Sequence, residues 1–281
     1  MEVGQFKIGA IIQARLGSTR LPNKVLMPLP LGSNETILSQ IIKKIKEVDI
    51  ISDVIVATSK LPINDKLEEY VRNLNIDCFR GEEEDVLSRF YHISQERNFD
   101  YVIRFTGDNP IVDTEYLKQF INNFFKKKLE YSYSANLPLG CNFEMMKSSE
   151  INKAYKNAEN SYDKEHVTPL IKKNANIKEC YTFEKIEPNK NLRLTIDYPS
   201  DYALMTMIYS LLKNKQKSVK NIFKLIDNNN WIVNINKDNF QKKKYLNIDE
   251  EIKDILPLIK ERELKRLLEL LNKIKNYNIS Q

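Results

Sequence analysis

IIQARLGSTRLPNK, residues 11–24, is the stretch around which this sequence is organised. An apolar run at 8–12 predicts a buried strand, and a helical pattern of apolar residues starts at Ile37. The loop between them holds three cations in ten residues beside a glycine and two hydroxyl side chains. A strand, a cationic loop and a helix in this order bring backbone N–H groups and positive charges together around an anion. Repeated charge-assisted contacts favour a polyphosphate over a single carboxylate. The alternative is a solvated basic loop, and the Walker spacing is absent.

Strand and helix patterns alternate along the first half of the sequence. Strands are predicted at 53–58, 77–80 and 101–105, and helical spacing of apolar residues separates them. This alternation predicts an α/β fold with a Rossmann-like, open, mostly parallel sheet flanked by helices. Ligands bind such sheets beyond the carboxyl ends of the strands. Polar candidates follow the predicted strands at residues 15–24, Thr58-Ser59, Arg80-Gly81 and Gly107-Asp108.

The pattern loosens after residue 129. Further strands are predicted at 131–135 and 192–196, and Asp201 is placed to cap a helix. Apolar residues recur at helical spacing from Glu250 onward, which predicts a C-terminal helical extension. We therefore divide the sequence into an α/β domain, 1–225, and an extension of loop plus amphipathic helix, 226–281. The apolar stripe of that helix either packs on the domain or joins two chains as a homodimer, and the sequence leaves both open.

Composition restricts the class of protein. With 281 residues, 42% hydrophobic and 29% charged, the chain can bury a full core. No apolar run approaches the ~20 residues of a membrane span, and the N-terminus lacks the build of a signal peptide. We therefore expect a cytoplasmic protein with no membrane partner. Separated cysteines and two histidines indicate neither a disulfide framework nor a zinc site. The net charge of +6 comes from scattered lysines without a recognition motif, so we expect no nucleic-acid partner.

Two aspartates are candidates for metal ligands. Asp108 follows the predicted strand 101–105, and Asp197 follows the predicted strand 192–196. Mg²⁺ takes one or two carboxylates and completes its octahedron with water and phosphate oxygens. Because strand ends of a parallel sheet share an edge, both side chains are expected at the edge that holds the cationic loop. A plain turn role is the alternative for each, since aspartate favours turns.

Six blocks of sequence are specific enough to indicate a family. They are IIQARLGSTRLPNKVL (11–26), VATS (56–59), RG to DVL (80–87), RFTGD (104–108), EHVTP (165–169) and RLTID (193–197). In this order, over roughly residues 6–212, the chain resembles the cytidylyltransferase-like nucleotidyltransferases. The resemblance is strongest to the spore-coat polysaccharide biosynthesis F-type branch, which is related to acylneuraminate and Kdo cytidylyltransferases. It implies a sheet of the nucleotide-diphospho-sugar transferase type.

The resemblance implies roles for individual residues. Arg15 and Lys24 match cations that bind the triphosphate, with Arg15 nearest the α-phosphate, and Asp108 and Asp197 match metal ligands; these four are the implied catalytic residues. Nucleotide binding is implied for Ala14, Arg15, Gly17, Ser18, Arg20, Lys24, Thr58, Arg80, Gly81, Asp85 and Asp108. Glu144 and His166 fall where the acceptor sugar is expected. His166 is either a general base or a structural group beside a helix that opens at Val167.

The chain departs from the family pattern at three asparagines. Asn23 stands in place of glycine, Asn109 in place of cysteine, and Asn142 at a position that is often acidic. Asn142 lies in the expected sugar region, so the identity of the acceptor stays open.

The implied activity is that of a Mg²⁺-dependent cytidylyltransferase. It would use CTP, or another nucleoside triphosphate, to activate a sugar, sugar acid or sugar phosphate for surface-glycan assembly, with release of pyrophosphate. A metal-dependent glycosyltransferase is a rival, although Asp108-Asn109-Pro110 is not the Asp-x-Asp motif usual there. A non-catalytic nucleotide-sugar-binding protein is the third hypothesis, and the retained cations and aspartates argue against it.

Overall fold

The computed structural model of the chain describes residues 6–184, 192–213, 215–239 and 248–278. Two compact units make up the chain, Met1–Asn239 and Phe240–Gln281. The boundary predicted after residue 225 falls inside a helix of the first unit, Val219–Asp227. The division into two domains stays a prediction.

The predicted α/β fold is confirmed by a seven-stranded sheet in the described part of the first unit. Its strands are β1 (Ile8–Gln13), β2 (Asp53–Ser59), β3 (Asp77–Gly81), β4 (Tyr101–Thr106), β5 (Tyr131–Ser134), β6 (Glu144–Lys147) and β7 (Lys178–Tyr181). They lie in the order β3-β2-β1-β4-β6-β5-β7. Strands β3, β2, β1 and β4 are parallel to one another, so their carboxyl ends meet at one edge. Strand β6 runs antiparallel to both of its neighbours.

Helices occur in the described ranges of both units, and the last two belong to the second unit. In chain order they are α1 (Ile37–Lys46), α2 (Asp65–Asn73), α3 (Val86–Glu96), α4 (Thr114–Lys126), α5 (Ser148–Asn157), α6 (Ser161–His166), α7 (Pro169–Asn174), α8 (Pro199–Leu211), α9 (Val219–Asp227), α10 (Ile248–Glu261) and α11 (Lys265–Asn278). Short 3₁₀ helices lie at Lys24–Leu26, Pro62–Asn64 and Asn230–Ile235.

Strand β1 is buried on both faces of the sheet, which explains its continuous apolar run. Ile12 packs in the core cluster that contains Ile41 of α1. Ile11, pointing to the opposite face, packs in the cluster that contains Leu87 and Phe90 of α3. Because successive side chains of a strand point to opposite faces of the sheet, β1 contributes to both core clusters.

The prediction of a strand at 192–196 is wrong. This segment forms only an isolated bridge, between Arg193 and Leu139, and it bends at Thr195. Its backbone bonds go to loops, since Leu194 N–H donates to Leu139 O and Ile196 N–H donates to Asp108 O. Apolar side chains of the segment are buried, so the sequence pattern is that of a strand although no ladder forms.

Strands β6 and β7 are absent from the sequence-based prediction. Each is four residues long, EMMK and KECY, and neither carries the run of β-branched residues that marks a strand. Strand β6 enters the sheet by pairing with β4 and β5, and β7 enters it by pairing with β5.

The second unit contributes two helices where the sequence predicts one. Helix α10 ends at Glu261 and α11 begins at Lys265, and between them Glu263 has a positive φ of 52°. A left-handed residue of this kind ends a helix. No helix in the described ranges is long and apolar enough to cross a membrane.

Candidate active site

Lys24 connects the first loop to both aspartates that are predicted to bind metal. Lys24 is the first residue of the 3₁₀ helix that follows the loop, and its side chain is buried. Nζ donates to Asp108 Oδ2 at 2.8 Å, to Asp197 Oδ1 at 2.9 Å and to the carbonyl oxygen of Ile196 at 2.8 Å. An ammonium group has three N–H donors, and these contacts use all of them. The fold therefore brings Lys24, Asp108 and Asp197 together at one point.

Asp197 is surrounded by positive charge. Arg20 Nη2 lies 2.9 Å from Oδ1, and Arg193 Nη2 donates to Oδ2 at 2.6 Å. Burial alone would raise the pKa of Asp197, but the charge and hydrogen bond of Lys24, with the charges of Arg20 and Arg193, lower that pKa below its ordinary value. The carboxylate is therefore held ionised.

Asp201 fixes the positions of Arg193 and Asp197. It is fully buried in the first turn of α8, where its carboxylate accepts from Arg193 Nε at 3.0 and 3.2 Å. It also accepts from the backbone N–H groups of Asp197 and Tyr198. The helix starts before the predicted cap, because Tyr198 is its N-cap and Asp201 is its third residue, where it completes a capping box. Asn236 donates to the same carboxylate at 2.8 Å. The position of Asp197 is thus determined by a helix terminus rather than by a strand end.

Asp108 follows β4 through a tight turn. Thr106 Oγ1 donates to Asp108 Oδ1 at 2.6 Å, and Gly107 N–H donates to Gln13 O at 2.8 Å. A Cβ on Gly107 would lie 2.8 Å from Ala14 Cβ, so glycine lets the turn approach the end of β1. Ala14 therefore lies directly against the turn that carries Asp108.

Arg15 contacts a different carboxylate. Its half-exposed guanidinium pairs through Nη1 with Glu83 Oε1, and no contact within the described ranges joins it to Asp108 or Asp197. Glu83 lies in the acidic turn that follows β3. Burial would raise the pKa of Glu83, but hydrogen bonds from Ser59 and Arg15 lower it. The structure brings Lys24 to the two aspartates and places the Arg15 side chain on the β3 side of the loop.

The first loop is fastened to β2 through a buried asparagine. Asn64 Oδ1 accepts from Leu16 N–H at 2.8 Å, and its amide donates to Ser59 Oγ at 2.7 Å. A Cβ on Gly17 would meet nothing within 4 Å, so the space beside the loop is open. Ser18 Oγ accepts only a long bond, 3.4 Å, from Leu21 N–H. The loop is therefore held in place by Asn64 at Leu16, whereas Gly17 and Ser18 are accessible.

Four of the residues implied in nucleotide binding, Thr58, Arg80, Gly81 and Asp85, lie at or shortly after the ends of β2 and β3. Thr58 Oγ1 is buried and has no hydrogen-bond partner among the residues described. Arg80 is engaged by the protein itself, since it pairs with Glu68 and donates to backbone carbonyls. Asp85 accepts from Ser88 N–H at 2.8 Å and caps α3. Thr58 therefore has a buried hydroxyl with unused hydrogen-bonding capacity.

Arg89 is a buried cation that the sequence reasoning missed. It is 4% exposed, and its Nε has no hydrogen-bond partner in the described part of the chain. Burial, together with the charge of Arg15, lowers the pKa of its guanidinium. A Cβ on Gly81 would lie 2.5 Å from Arg89 Cγ, so glycine at the end of β3 makes room for this side chain. The available signal was a charged residue on the apolar face of α3, beside Phe90.

Glu144 lies in a polar network at the start of β6. Its carboxylate pairs with Arg104 Nη1 and accepts from the hydroxyls of Tyr131 at 2.8 Å and Thr168 at 3.0 Å. Burial alone would raise the pKa of Glu144, but the charge of Arg104 and these hydrogen bonds lower it. A cavity of about 300 Å³ opens beside the network. It is lined by Arg104, Phe105, Thr106, Asn109, Ile111, Val112, Tyr133, Ser134, Asn142, Phe143 and Glu144.

His166 lies apart from this cavity lining. It ends α6, is exposed, and its ring lies 4.5 Å from that of Tyr162. The helix that follows begins at Pro169 rather than at Val167, which has a positive φ of 67°. Thr168, two residues after His166, makes the contact with Glu144. An acceptor role for His166 stays a prediction.

Asp108 and Asp197 supply the kind of ligand that Mg²⁺ prefers. Two carboxylate oxygens that share one ammonium partner can share a cation, and Mg²⁺ is commonly bound by one or two carboxylates. Within the described ranges, no group of three or more His, Cys, Asp or Glu side chains could hold a metal ion. A cation bound between these aspartates would therefore take its remaining ligands from water and phosphate oxygens.

A family model described as Cytidylyltransferase matches residues 9–238. The chain belongs to the cytidylyltransferase family. The match spans the first loop, both aspartates, the Glu144 network and Asn236. The match to the family model therefore includes all of the site residues described above.

The chain is also similar to two relatives and to one solved structure. The chain is 35% identical over 208 residues to the spore coat polysaccharide biosynthesis protein SpsF of Bacillus subtilis strain 168, over 71% of this chain and 85% of that protein. It is 35% identical over 246 residues to the uncharacterized protein MJ1063 of Methanocaldococcus jannaschii, over 87% of this chain and 100% of that protein. A cytidylyltransferase from Leptospira borgpetersenii superposes with a TM-score of 0.75 at 26% identity, over 85% of this chain and 100% of that one. The predicted family and fold are confirmed.

Three further site residues were not singled out from the sequence. Arg104, Thr168 and Arg193 each lie inside a family block, and each contacts a residue that was predicted. Their positions within the blocks were the available signal, but their contacts depend on strand and loop packing.

Proposed function

We propose that this cytidylyltransferase uses CTP and Mg²⁺ to activate a sugar or sugar acid, and that it releases pyrophosphate. The observation that supports the proposal is the contact of Lys24 Nζ with both Asp108 and Asp197. Transfer to an α-phosphorus needs carboxylates for a divalent cation and a fixed positive charge for phosphate oxygens. The site has both at one point.

The cations of the first loop have the chemistry to hold a triphosphate. Lys24 neutralises the two carboxylates in this structure, and we expect it to turn to a phosphate oxygen when the metal–nucleotide complex takes its place. Arg20 Nη1 is buried and has no hydrogen-bond partner in the ranges described, so it is available to a further phosphate oxygen. Arg15 is accessible to the α-phosphate once it leaves Glu83.

The proposed reaction is an in-line displacement. An acceptor oxygen forms a bond to the α-phosphorus, the bond to the bridging oxygen breaks, and pyrophosphate leaves with the electron pair. Bound Mg²⁺ would polarise the phosphate oxygens and offset the charge that develops on the leaving group. Lys24, Arg15 and Arg20 would stabilise the same charge. An acceptor hydroxyl must lose a proton to a base, whereas a sugar phosphate offers an oxygen that is already anionic.

The Glu144 network and its cavity are the proposed acceptor site. Thr106 lines the cavity and donates to Asp108, so the cavity adjoins the proposed reaction centre. The name of the Bacillus subtilis relative supports a place in surface polysaccharide assembly.

The proposal is tested with four nucleoside triphosphates against a panel of sugars, sugar acids and sugar phosphates, with Mg²⁺ or with a chelator. We expect pyrophosphate release that requires CTP, an acceptor and the metal. Asp108→Asn and Asp197→Asn should abolish it, whereas Asp49→Asn, which changes an exposed carboxylate outside the site, should not. Release of a nucleoside diphosphate from a nucleotide sugar would identify a glycosyltransferase instead. Tight nucleotide binding without turnover would identify a binding protein.

A further inference from the structure

The cavity beside Asp108 has a lining whose charges cancel. We infer that it receives an uncharged, hydroxyl-bearing or N-acylated arm of the acceptor, and that it discriminates against a carboxylate or phosphate at that position. The inference rests on the proposed function, because it treats the cavity as the acceptor site. It concerns the part of the acceptor remote from the reacting oxygen.

The cavity has the place and size of a site for a single small molecule. Its volume of about 300 Å³ is at the lower end of the range for ligand pockets. Thr106 is shared between the cavity wall and the Asp108 carboxylate, and Asn109 follows Asp108 in the chain. An acceptor that reacts beside Asp108 therefore extends into this space.

Arg104 and Glu144 are the charged residues among those that line the cavity, and they pair with each other. Arg104 is also fixed by Gln13, whose Oε1 accepts from Nε at 2.9 Å. Glu144 is also fixed by Tyr131 and Thr168. Neither charge is free to move toward a ligand without breaking this network.

The pairing decides which ligand group is favoured. A carboxylate that enters the cavity is attracted by Arg104 and repelled by Glu144, and because these two charges are paired with each other, their Coulomb contributions oppose and largely cancel. The cost of removing the carboxylate from water remains. A hydroxyl or amide has a much smaller desolvation cost and needs only hydrogen-bond partners.

Uncharged hydrogen-bonding groups with spare capacity line the same cavity. Asn109 Oδ1 is buried and has no hydrogen-bond partner within the described structure. This oxygen needs a donor, which a hydroxyl or an N–H supplies and an ionised carboxylate does not. Asn142 makes only contacts of 3.5 Å, with Pro138 O and with Ser134 Oγ, at the limit for a hydrogen bond. Apolar side chains, including Phe105 and Phe143, complete the lining and suit the C–H face of a sugar.

The experiment uses matched methyl glycosides in the gluco, galacto and manno series, each with CH₂OH or a carboxylate at C6. Binding to the ¹⁵N-labelled full chain, without nucleotide, is followed through the side-chain amide resonances of Asn109 and Asn142. We expect the neutral member of at least one pair to bind more tightly by about tenfold, the effect of leaving one buried polar group unpaired.

Glu144→Gln tests the charge argument directly, because it leaves Arg104 uncompensated. We expect it to shift the preference toward the carboxylate member by about tenfold. Glu179→Gln is the matched control, since its side chain is 23% exposed against 22% for Glu144 and is outside the cavity lining. This control should keep the wild-type preference. If Glu144→Gln does not fold, the wild-type preference alone decides.

Two results would overturn the inference. One is a wild-type protein that binds the carboxylate member at least as tightly as the neutral member in every pair, and the other is no response of either amide to any probe. Neither result depends on CTP or turnover. Failure of the proposed function would instead appear as absence of pyrophosphate release with every triphosphate, measured separately.

Discussion

Lys24 and Asp197 are 173 positions apart in the chain, yet Nζ of one lies 2.9 Å from Oδ1 of the other. The contact joins the first loop to the extended segment before α8. It is possible because Ile196 N–H donates to Asp108 O, which holds that segment against the turn after β4. Lys24 thereby becomes the common partner of two carboxylates.

Lys24→Met removes the ammonium and keeps most of the aliphatic stem. We expect pyrophosphate release to fall by about 10²–10³-fold, as when one preorganised electrostatic donor is lost. A coupled pyrophosphate assay measures the rate, and circular dichroism checks the fold. Lys43→Met is the control, because Lys43 is an exposed cation paired with Glu35. A Lys24→Met protein with wild-type turnover would remove Lys24 from the site.

Glu83→Gln frees Arg15 from its carboxylate partner. In the wild type the nucleotide must break the Arg15–Glu83 ion pair before Arg15 can contact it. An ion pair at the surface contributes about 0.2–1 kcal/mol, so we expect CTP to bind Glu83→Gln a few-fold more tightly. Isothermal titration at low and high salt measures the effect, which should shrink as salt rises. Glu82→Gln, at the neighbouring carboxylate that pairs with Lys60, should bind CTP as the wild type does. Equal affinities for Glu83→Gln and Glu82→Gln would show that the Glu83 contact does not compete with the nucleotide.

Gly140→Ala is expected to destabilise the first unit. Gly140 has a φ of 97°, and a Cβ there would lie 2.5 Å from Thr195 N and 2.6 Å from Leu194 C. Overpacking of this kind costs about 1–3 kcal/mol in the free energy of unfolding, measured by urea denaturation. At Gly17 an added Cβ meets nothing within 4 Å, so Gly17→Ala should change that free energy by no more than about 0.5 kcal/mol. Equal losses in the two variants would contradict the conclusion that the backbone is closely packed at Gly140 and open at Gly17.

The stability of the first unit should depend on the ionisation of Asp197. Its pKa is lower in the folded protein than in the unfolded chain, so the unfolded state takes up the proton first as pH falls. The stabilisation is present above the ordinary aspartate pKa and is lost as pH falls through the folded value. We expect the wild-type free energy of unfolding to fall more steeply than that of Asp197→Asn between about pH 5 and pH 2. Asp49→Asn, an exposed control, should keep the wild-type slope. Parallel curves for all three proteins would contradict this role of Asp197.

The contrast between Asp108 and Asp197 shows which structural features an apolar sequence pattern can predict. Asp108 follows a true strand, and both the strand and the location of the aspartate at the sheet edge were predictable from an apolar run. Asp197 follows a segment, LRLTI, in which apolar and polar residues alternate, but the backbone bonds of that segment go to loop residues and no strand forms. Alternation reports that one face of a segment is apolar and buried, and pairing in a sheet is only one way to bury that face.

The contrast between Lys24 and Arg15 concerns side-chain contacts. Both were predicted as phosphate-binding cations from one loop of ten residues. Lys24 meets the aspartates, whereas Arg15 pairs with Glu83, because the turn after β3 comes to the same loop. Which carboxylate each cation meets depends on strand order, and no local pattern encodes that order.

The sequence by itself determined the α/β class, the parallel strands β1 to β4, and the residue types of a phosphate site, because apolar periodicity and local charge are properties of neighbouring residues. Only the tertiary structure decided that Arg193 and Asp201 hold Asp197, that Arg89 is buried behind Gly81, and that Arg104 cancels Glu144. These contacts join residues far apart in the chain, and their energies arise only when packing removes them from water.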